Sequence, residues 1–278
     1  MSLNSAASAL QEATMLSSGW YVVHATYDVP PSAWSALRME QRLDAAAECE
    51  SLLLPNAPSA PRRLVTYYSR GEAAFGLLAM DPSAIRLEGL RRRLRAIGPG
   101  TLVAPASALH SVTSIERGGW SLENYRAELI KQGHDSSTTS FAQQITDYER
   151  IRSEKLRKAN EPDIPSYLNI VVIPLTQRRS GDDNWLALAD DERQAVVAAC
   201  LHEIGVAQAN VDPYFTRTVG LSACDLVLTV WGRRPGDIAA FLKQAMNTEY
   251  FARYLDAGPV TSGIVMSPRE ILELCGLV

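Results

Sequence analysis

Cysteine and histidine are among the side chains that bind transition metals, and their spacing in this sequence limits which sites they could form. The four cysteines are scattered, with no Cys-x-x-Cys pair, so the sequence predicts reduced thiols rather than a disulfide framework or a zinc site. Cys200 and His202 stand two residues apart in a helical pattern. Side chains two apart on a helix point about 200° from each other, so both cannot face one pocket. The other histidines, His24, His110 and His134, show no partner spacing.

The helix that carries Cys200 belongs to the second of two halves with the same predicted order of elements. The first half reads strand, helix, two-strand hairpin, helix and strand, over residues 20–27, 32–54, 63–69 with 73–80, 81–97 and 109–115. The second half repeats that order over residues 167–174, 190–206, 215–219 with 225–231, 234–254 and 260–266. Asp81-Pro82 and Arg234-Pro235 begin helices at equivalent places in the two halves.

Each half is therefore β-α-β-β-α-β, the ferredoxin-like arrangement. Two such sheets can join edge to edge, which pairs their edge strands and closes a barrel wrapped in helices. We thus predict an α+β fold, a dimeric α+β barrel within one chain. The alternative is two independent ferredoxin-like domains on a linker.

The predicted organisation has four parts: a loose tail at 1–18, a first half at 19–116, a connector at 117–165 and a second half at 166–278. The connector is polar and carries alternating charges, which suit an exposed helix. We favour a solvated connector, with a lid over a pocket as the alternative, because long insertions in compact domains are often functional.

Composition narrows the function classes. The chain of 278 residues has a net charge of −4. This charge does not indicate nucleic-acid binding, which depends on an excess of positive charge. No apolar run approaches the roughly 20 residues that span a bilayer, and the first residues lack the features of a signal peptide. Arg91-Arg-Arg-Leu-Arg95 is interpreted as a solvated helix face. We expect a cytoplasmic protein that acts on a small molecule and contacts neither nucleic acid nor membrane.

Several ordered motifs resemble the chlorite dismutase family, which includes the coproheme decarboxylases of bacterial haem synthesis. They are Trp20-Tyr-Val-Val-His, Trp34-Ser-Ala-Leu, Pro174-Leu-Thr-Gln-Arg-Arg, Asn184-Trp-Leu-Ala-Leu-Ala-Asp-Asp-Glu-Arg, Gly220-Leu and Thr248-Glu-x-x-x-Arg-Tyr. The likeness spans about residues 19 to 268, with 117–165 the poorest match. It implies the dimeric α+β barrel, rings of several subunits (five is the expected number) and haem b or coproheme in the C-terminal half.

The resemblance also implies roles for individual residues. Arg178 and Arg179 would hold haem propionates through bidentate hydrogen bonds, the alternative being an exposed charge pair at a strand end. Trp185 is expected to pack the barrel. In the family a histidine binds the iron, and a glutamate at the place of Glu249 accepts a hydrogen bond from it.

Counting from Trp185 and from Gly220 puts Cys200 at the position of that histidine. Three interpretations follow: a small buried residue, a thiolate ligand of the iron, or a shifted helix in which His202 takes the iron. Spacing favours Cys200, whereas the retained Glu249 favours His202, because a carboxylate beside a thiolate would raise the pKa of the thiol. Another interpretation of His202 is a core residue whose ring nitrogens form hydrogen bonds within the protein.

The distal residues of the family are replaced as well. The tyrosine used by coproheme decarboxylases corresponds to Ile173, and the arginine or glutamine before the glycine corresponds to Pro213, which lacks a backbone donor. Tyr214 and Arg217 are near but would need a shift of register. Ile173 and Leu175 therefore predict an apolar distal pocket.

We therefore expect a haem-dependent oxidoreductase that catalyses neither chlorite splitting nor coproheme decarboxylation. It would instead use oxygen or peroxide to oxidise an organic substrate. A pocket without a general acid predicts poor peroxidase activity. One alternative is a non-catalytic haem carrier, or a subunit that has lost haem altogether. The other is a coproheme decarboxylase that uses another tyrosine, Tyr167 or Tyr214.

Overall fold

The computed structural model describes residues 19–71, 73–98, 102–113, 122–205, 210–218 and 220–277. The predicted N-terminal tail and the start of the predicted connector therefore lie outside the described residues. Within the described part the chain forms a mixed α/β fold with nine strands and nine helices. This mixture agrees with the predicted α+β class.

The first half of the chain runs through four strands and three helices. In order they are β1 (Tyr21–Asp28), α1 (Pro31–Ser35), α2 (Met39–Leu53), β2 (Arg63–Ser69), β3 (Phe75–Asp81), α3 (Ala84–Arg95) and β4 (Ala104–Thr113). One helix was predicted over 32–54, but it is divided before Met39. The backbone is extended at Arg38, whose N–H donates to the Gln41 side-chain oxygen at 3.1 Å at the start of the second helix.

Two helices form the segment predicted as a polar connector, α4 (Leu122–Lys131) and α5 (Thr139–Asn160). They pack on each other through a small cluster of their own, which contains Leu129, Phe141 and Ile145. Tyr125 and Tyr148 stack beside it with ring centroids 3.8 Å apart. The connector is thus a helical hairpin with its own apolar contacts.

The second half continues with five strands and four helices. They are β5 (Asn169–Gln177), α6 (Asp190–Gly205), β6 (Val211–Arg217), β7 (Leu226–Gly232), α7 (Pro235–Asn247), α8 (Glu249–Tyr254), β8 (Leu255–Ala257), β9 (Thr261–Val265) and α9 (Pro268–Leu274). Strand β6 begins four residues earlier than predicted and includes Pro213. Pro213 pairs with Val230 of β7, and the described pairing of β6 with β4 is at Thr216 and Arg217.

The strands form one antiparallel sheet that closes on itself. Their order is β7-β6-β4-β1-β3-β2-β9-β5, and β5 also pairs with β7, which closes the sheet. The short strand β8 pairs with the last residues of β5. Because side chains alternate along a strand, this closed sheet has an inner and an outer face. The arrangement of two ferredoxin-like halves stays a prediction, although the element order within each half is the one expected.

Three apolar clusters fill the space on the two faces. One lies inside the closed sheet and includes Trp20, Tyr67 and Trp231. A second packs α2, α3 and α9 on the outer face of the first half. The third packs α6, α7 and α8 on the outer face of the second half, where the sequence places its candidate site.

Candidate functional site

The candidate site lies between the outer face of the second-half strands and helix α6. Ile173 and Leu175 of β5 and Phe215 of β6 form the sheet wall, and Cys200 and Ile204 face it from α6. Each of these side chains is buried. The structure therefore brings together the predicted distal residues Ile173 and Leu175 and the predicted ligand Cys200, in one continuous apolar cluster.

The Cys200 thiol is held in its neutral form. Its Sγ lies 3.3 Å from Thr248 Oγ1, and the same hydroxyl lies 2.7 Å from the carbonyl oxygen of Ala245. A hydroxyl has one hydrogen to donate, so Thr248 donates either to the Cys200 sulfur or to the Ala245 carbonyl at any one time. Burial in the cluster raises the pKa of Cys200, and the Thr248 contact opposes this shift only in part. The negative charge of Glu203 also raises the pKa of the thiol.

Thr248 reaches Cys200 because the last predicted helix is broken there. The sequence predicts a single helix over 234–254, but Thr248 has an extended backbone with ψ of 151° and separates α7 from α8. Its hydroxyl bonds back to Ala245, which is how threonine competes with helical hydrogen bonding. Thr248 was not among the predicted site residues, and the signal that could have found it is its place at the start of the Thr-Glu-x-x-x-Arg-Tyr motif.

His202 and Glu249, the alternative ligand and its expected partner, point away from the cluster. His202 is exposed on α6, as the two-residue spacing from buried Cys200 requires. Glu249 is also exposed, and its carboxylate accepts a hydrogen bond of 2.8 Å from Arg253. The two residues are therefore not brought together with each other or with Cys200 in this conformation.

The predicted propionate-binding arginines are engaged by carboxylates of the chain itself. Arg178 donates to Asp256 at 3.0 Å and lies 3.8 Å from Asp183. Arg179 pairs with Asp225. Both guanidinium groups lie at the end of β5, so the predicted placement at a strand end is observed, with their charges already neutralised.

Trp185 packs at one end of the cluster, as expected for this residue. It begins a short 3-10 helix, Trp185–Ala187, and is buried. Its ring centroid lies 4.8 Å from that of Tyr250 and 5.3 Å from that of Tyr254. The Tyr250 hydroxyl accepts a hydrogen bond from Gln177.

Tyr214 and Tyr167 lie on the other side of the sheet from Cys200. Tyr214 follows the outward-facing Pro213 by one residue, so it turns to the inner face, where its hydroxyl donates to the carbonyl of Ala159 at 3.0 Å. Tyr167 packs against the inner cluster. Arg217 shares the face of Phe215 but is exposed at the end of β6. Neither tyrosine faces Cys200.

The chemistry of these residues fits a haem group, although the walls are closed. A single soft sulfur faces an apolar surface, and apolar walls with one axial ligand are what a haem plane needs. The described residues contain no group of three His, Cys, Asp or Glu side chains that could hold a metal ion by themselves. In this conformation α6 contributes Cys200 and Ile204 to the same buried cluster as the sheet wall, so binding would require the two to separate.

Comparison with known proteins gives consistent results. The chlorite dismutase family model matches residues 42–266. A protein of Natronomonas pharaonis, named as a candidate heme-binding protein, is 21% identical over 263 residues; the match covers 92% of this chain and 40% of that protein. The chain thus spans less than half the length of this relative.

Solved structures share the fold. A heme-binding protein from Thermus thermophilus superposes with a TM-score of 0.72 at 19% identity, covering 93% of this chain and 96% of that one. A chlorite dismutase variant from Candidatus Nitrospira defluvii gives a TM-score of 0.67 at 17% identity, covering 95% and 98%. Within the described ranges, none of the helices has the length and apolar character needed to cross a membrane.

Proposed function

This chain belongs to the chlorite dismutase family, and we propose that it binds haem reversibly and without catalysis between the sheet wall and α6, with Cys200 as the ligand of the iron. One observation carries the proposal: the Cys200 thiol is buried in the same apolar cluster as Ile173, Leu175 and Phe215 of the sheet wall. The heme-binding names of two proteins similar to this one support it.

Helix α6 is the wall that would move. Of its sixteen residues, all of them described, Cys200 and Ile204 are buried, and Leu201 is exposed. A helix held by so few buried side chains separates from its neighbours at low free energy. Cys200 would lose its proton on binding iron, because a thiolate and not a thiol is the ligand. A thiolate-ligated haem supplies an iron centre with a strong electron-donating ligand.

Two features favour a carrier over an oxidoreductase. The sheet wall offers Ile173, Leu175 and Phe215, none of which can transfer a proton to or from a bound oxidant. The arginines expected to hold the propionates are paired with Asp183, Asp225 and Asp256. Haem held mainly by apolar contacts and one thiolate would be released more readily than a prosthetic group.

Replacing Cys200 by alanine is expected to weaken haem binding by at least about tenfold, because the variant loses the only soft ligand on α6. The measurement is a spectral titration with ferric haem, followed by reduction and addition of carbon monoxide. Wild type should give a strongly red-shifted ferrous–CO band and the variant should not. Cys224→Ala is the matched control, since Cys224 is buried in the inner cluster. An unchanged spectrum in Cys200→Ala would exclude the thiolate ligand.

Replacing Asp183 and Asp256 together by asparagine is expected to tighten haem binding by about three- to tenfold. The change removes both ion pairs of Arg178 but keeps its bonds to the carbonyls of Ala252 and Arg253, so its charge could then be satisfied by a propionate. Haem dimethyl ester, which lacks the free carboxylates, should show no such gain. The double variant Asp190→Asn with Asp191→Asn removes two exposed carboxylates on α6 and serves as the control. An equal gain for the ester would show that the effect is not propionate binding.

The oxidoreductase remains a second candidate because of the aromatic side chains beside the cluster. Trp185 is buried in contact with both Tyr250 and Tyr254, and such residues can donate electrons to an oxidised centre. Steady turnover of a phenolic reductant with peroxide by the haem-loaded protein would favour it over the carrier. Formation of haem b from added coproheme and peroxide would instead favour the decarboxylase.

We also propose the finer architecture that the sequence predicts. The element order within each half and the closed sheet are consistent with two ferredoxin-like units fused in one chain. A ring-shaped homo-oligomer of five subunits and a cytoplasmic location stay predictions.

A further inference from the structure

A second candidate site lies on the inner face of the sheet, opposite the haem site proposed above. A cavity of about 210 Å³ opens at one end of the closed sheet. Its lining residues come from three strands, from the last turn of α5 and from the segment that follows it; they are Met80, Lys158, Pro162, Asp163, Ile164, Pro165, Asp212, Tyr214 and Trp231. Cys200 and the other residues of the outer cluster do not take part in it.

The floor of this cavity is set by the register of two strands. Asp212 of β6 and Trp231 of β7 are direct cross-strand partners, so their side chains share one face of the sheet. Tyr214 lies two residues along β6 and shares that face. Met80 of β3 completes the floor. The register thus places one carboxylate beside two aromatic rings and a thioether.

The roof of the cavity is the end of the connector, and three interactions hold it on the sheet. Arg63 of β2 donates to Asp163 at 3.0 Å. The Tyr214 hydroxyl donates to the carbonyl of Ala159 at 3.0 Å, and the Thr113 hydroxyl to that of Asn160 at 3.1 Å. Apolar roof residues Pro162 and Ile164 face the floor. The cavity is therefore part of the built structure rather than a gap beside a loose segment.

The charged residues that line the cavity differ in whether they form ion pairs. Asp163 is paired with Arg63, and the Lys158 ammonium lies 3.6 Å from Glu154. Asp212, by contrast, has neither an ion pair nor a side-chain hydrogen bond with any residue that the structure describes. It is exposed at the mouth of the cavity, yet partial burial of its carboxyl raises its pKa. An unpaired carboxylate beside aromatic rings is the arrangement that receives a cation.

We propose that this cavity binds a small organic cation, a primary amine carried on an apolar body. The ammonium would pair with Asp212 and the apolar body would lie against Trp231, Tyr214 and Met80. A cavity of about 150 Å³ in another protein accommodates benzene, so this volume is sufficient for a single ring with a short aminoalkyl group. An anion would meet the carboxylate of Asp212, whereas a neutral molecule would leave it unpaired.

The test is calorimetric titration of the full chain with three probes that share one ring: benzylamine, benzyl alcohol and benzoate. Benzylamine should bind at a single site, at least about tenfold more tightly than either of the other two. Asp212→Asn, which keeps the shape of the side chain and removes its charge, should abolish that preference. Asp191→Asn is the matched control, because Asp191 is an exposed carboxylate on α6. This variant should keep the preference for benzylamine.

Other outcomes would overturn the proposal. Binding of benzoate as tight as that of benzylamine would show that the cavity does not select for positive charge. An unchanged affinity in Asp212→Asn, with a thermal unfolding midpoint equal to that of wild type, would show that the amine binds elsewhere. Lys158→Met should leave benzylamine binding unchanged or stronger, because it removes a competing ammonium; a loss of binding would contradict the assigned role of Asp212.

Discussion

Replacing Gly76 by alanine is expected to destabilise the protein by about 3 kcal/mol, at the upper end of the usual penalty for overpacking a core. A Cβ atom at this position would lie 2.1 Å from Cζ, 2.3 Å from Oη and 2.4 Å from Cε2 of Tyr67. Tyr67 is 1% exposed inside the closed sheet. Its ring also covers Gly263, where a Cβ would lie 2.3 Å from Cδ2. The ring has little room to move, so backbone or neighbouring strands must shift.

Urea unfolding of the two proteins measures this difference. Gly89→Ala is a matched control with the opposite expected sign. Gly89 lies inside α3, and a Cβ atom added there would meet no other atom within 4 Å, so alanine should stabilise by about 0.5–1 kcal/mol. In the background of Tyr67→Ala, the Gly76→Ala change should lose most of its penalty, since the clashing ring is gone. A Gly76→Ala protein as stable as wild type would contradict the packing described for Tyr67.

Acid is expected to destabilise the protein through His24, by about 2–3 kcal/mol at pH 4.5 from this residue alone. His24 lies inside the closed sheet with 4% of its surface exposed, and burial lowers its pKa from 6.5 to about 3. Its Nε2 is 3.0 Å from the Thr229 hydroxyl, and its Nδ1 is buried without a partner among the described residues. The folded protein therefore disfavours the charged ring.

The sign of this pH dependence follows from the lowered pKa. Above pH 6.5 His24 is neutral in both states and its protonation has no effect on stability. Below pH 6.5 the unfolded chain takes up a proton that the folded protein refuses, so stability falls progressively until the pH reaches about 3.

Comparing His24→Gln with wild type in urea at pH 7.5 and pH 4.5 isolates this contribution. The glutamine is neutral at both values and can still bond Thr229, so its loss of stability between the two pH values should be smaller by about 2–3 kcal/mol. His134→Gln, at an exposed position, should leave the wild-type pH dependence unchanged. If wild type and His24→Gln lose equal stability on acidification, the ring is not buried in its neutral form.

Much of the fold could be predicted from local patterns. Alternation along strands, helical spacing and the prolines near Asp81 and Arg234 indicate the order of elements, because they act between residues close in the chain. The same spacing placed Cys200 and His202 on opposite sides of one helix, which is what the structure shows. The family was predicted from ordered motifs, and the match over residues 42–266 confirms it.

Element boundaries were less accurate where a single side chain overrides a periodic pattern. The breaks at Arg38 and Thr248 depend on side-chain bonds to the backbone, which compete with the helix at short range. Strand β6 starts earlier than predicted because Val211, Asp212 and Pro213 pair with β7. Such effects depend on the neighbours that a residue meets after folding.

Local spacing in the sequence was sufficient to predict the set of elements and the helix that carries the candidate ligand. The state of the two sites, by contrast, depends on contacts that form only when the chain folds. Arg178 donates a hydrogen bond to Asp256, 78 residues away. Asp212 stands opposite Trp231 because of the register between β6 and β7. These contacts join residues distant in the chain, and their pairing is set by how the sheet closes. A periodic pattern specifies a face of a strand, whereas register specifies which side chain stands opposite.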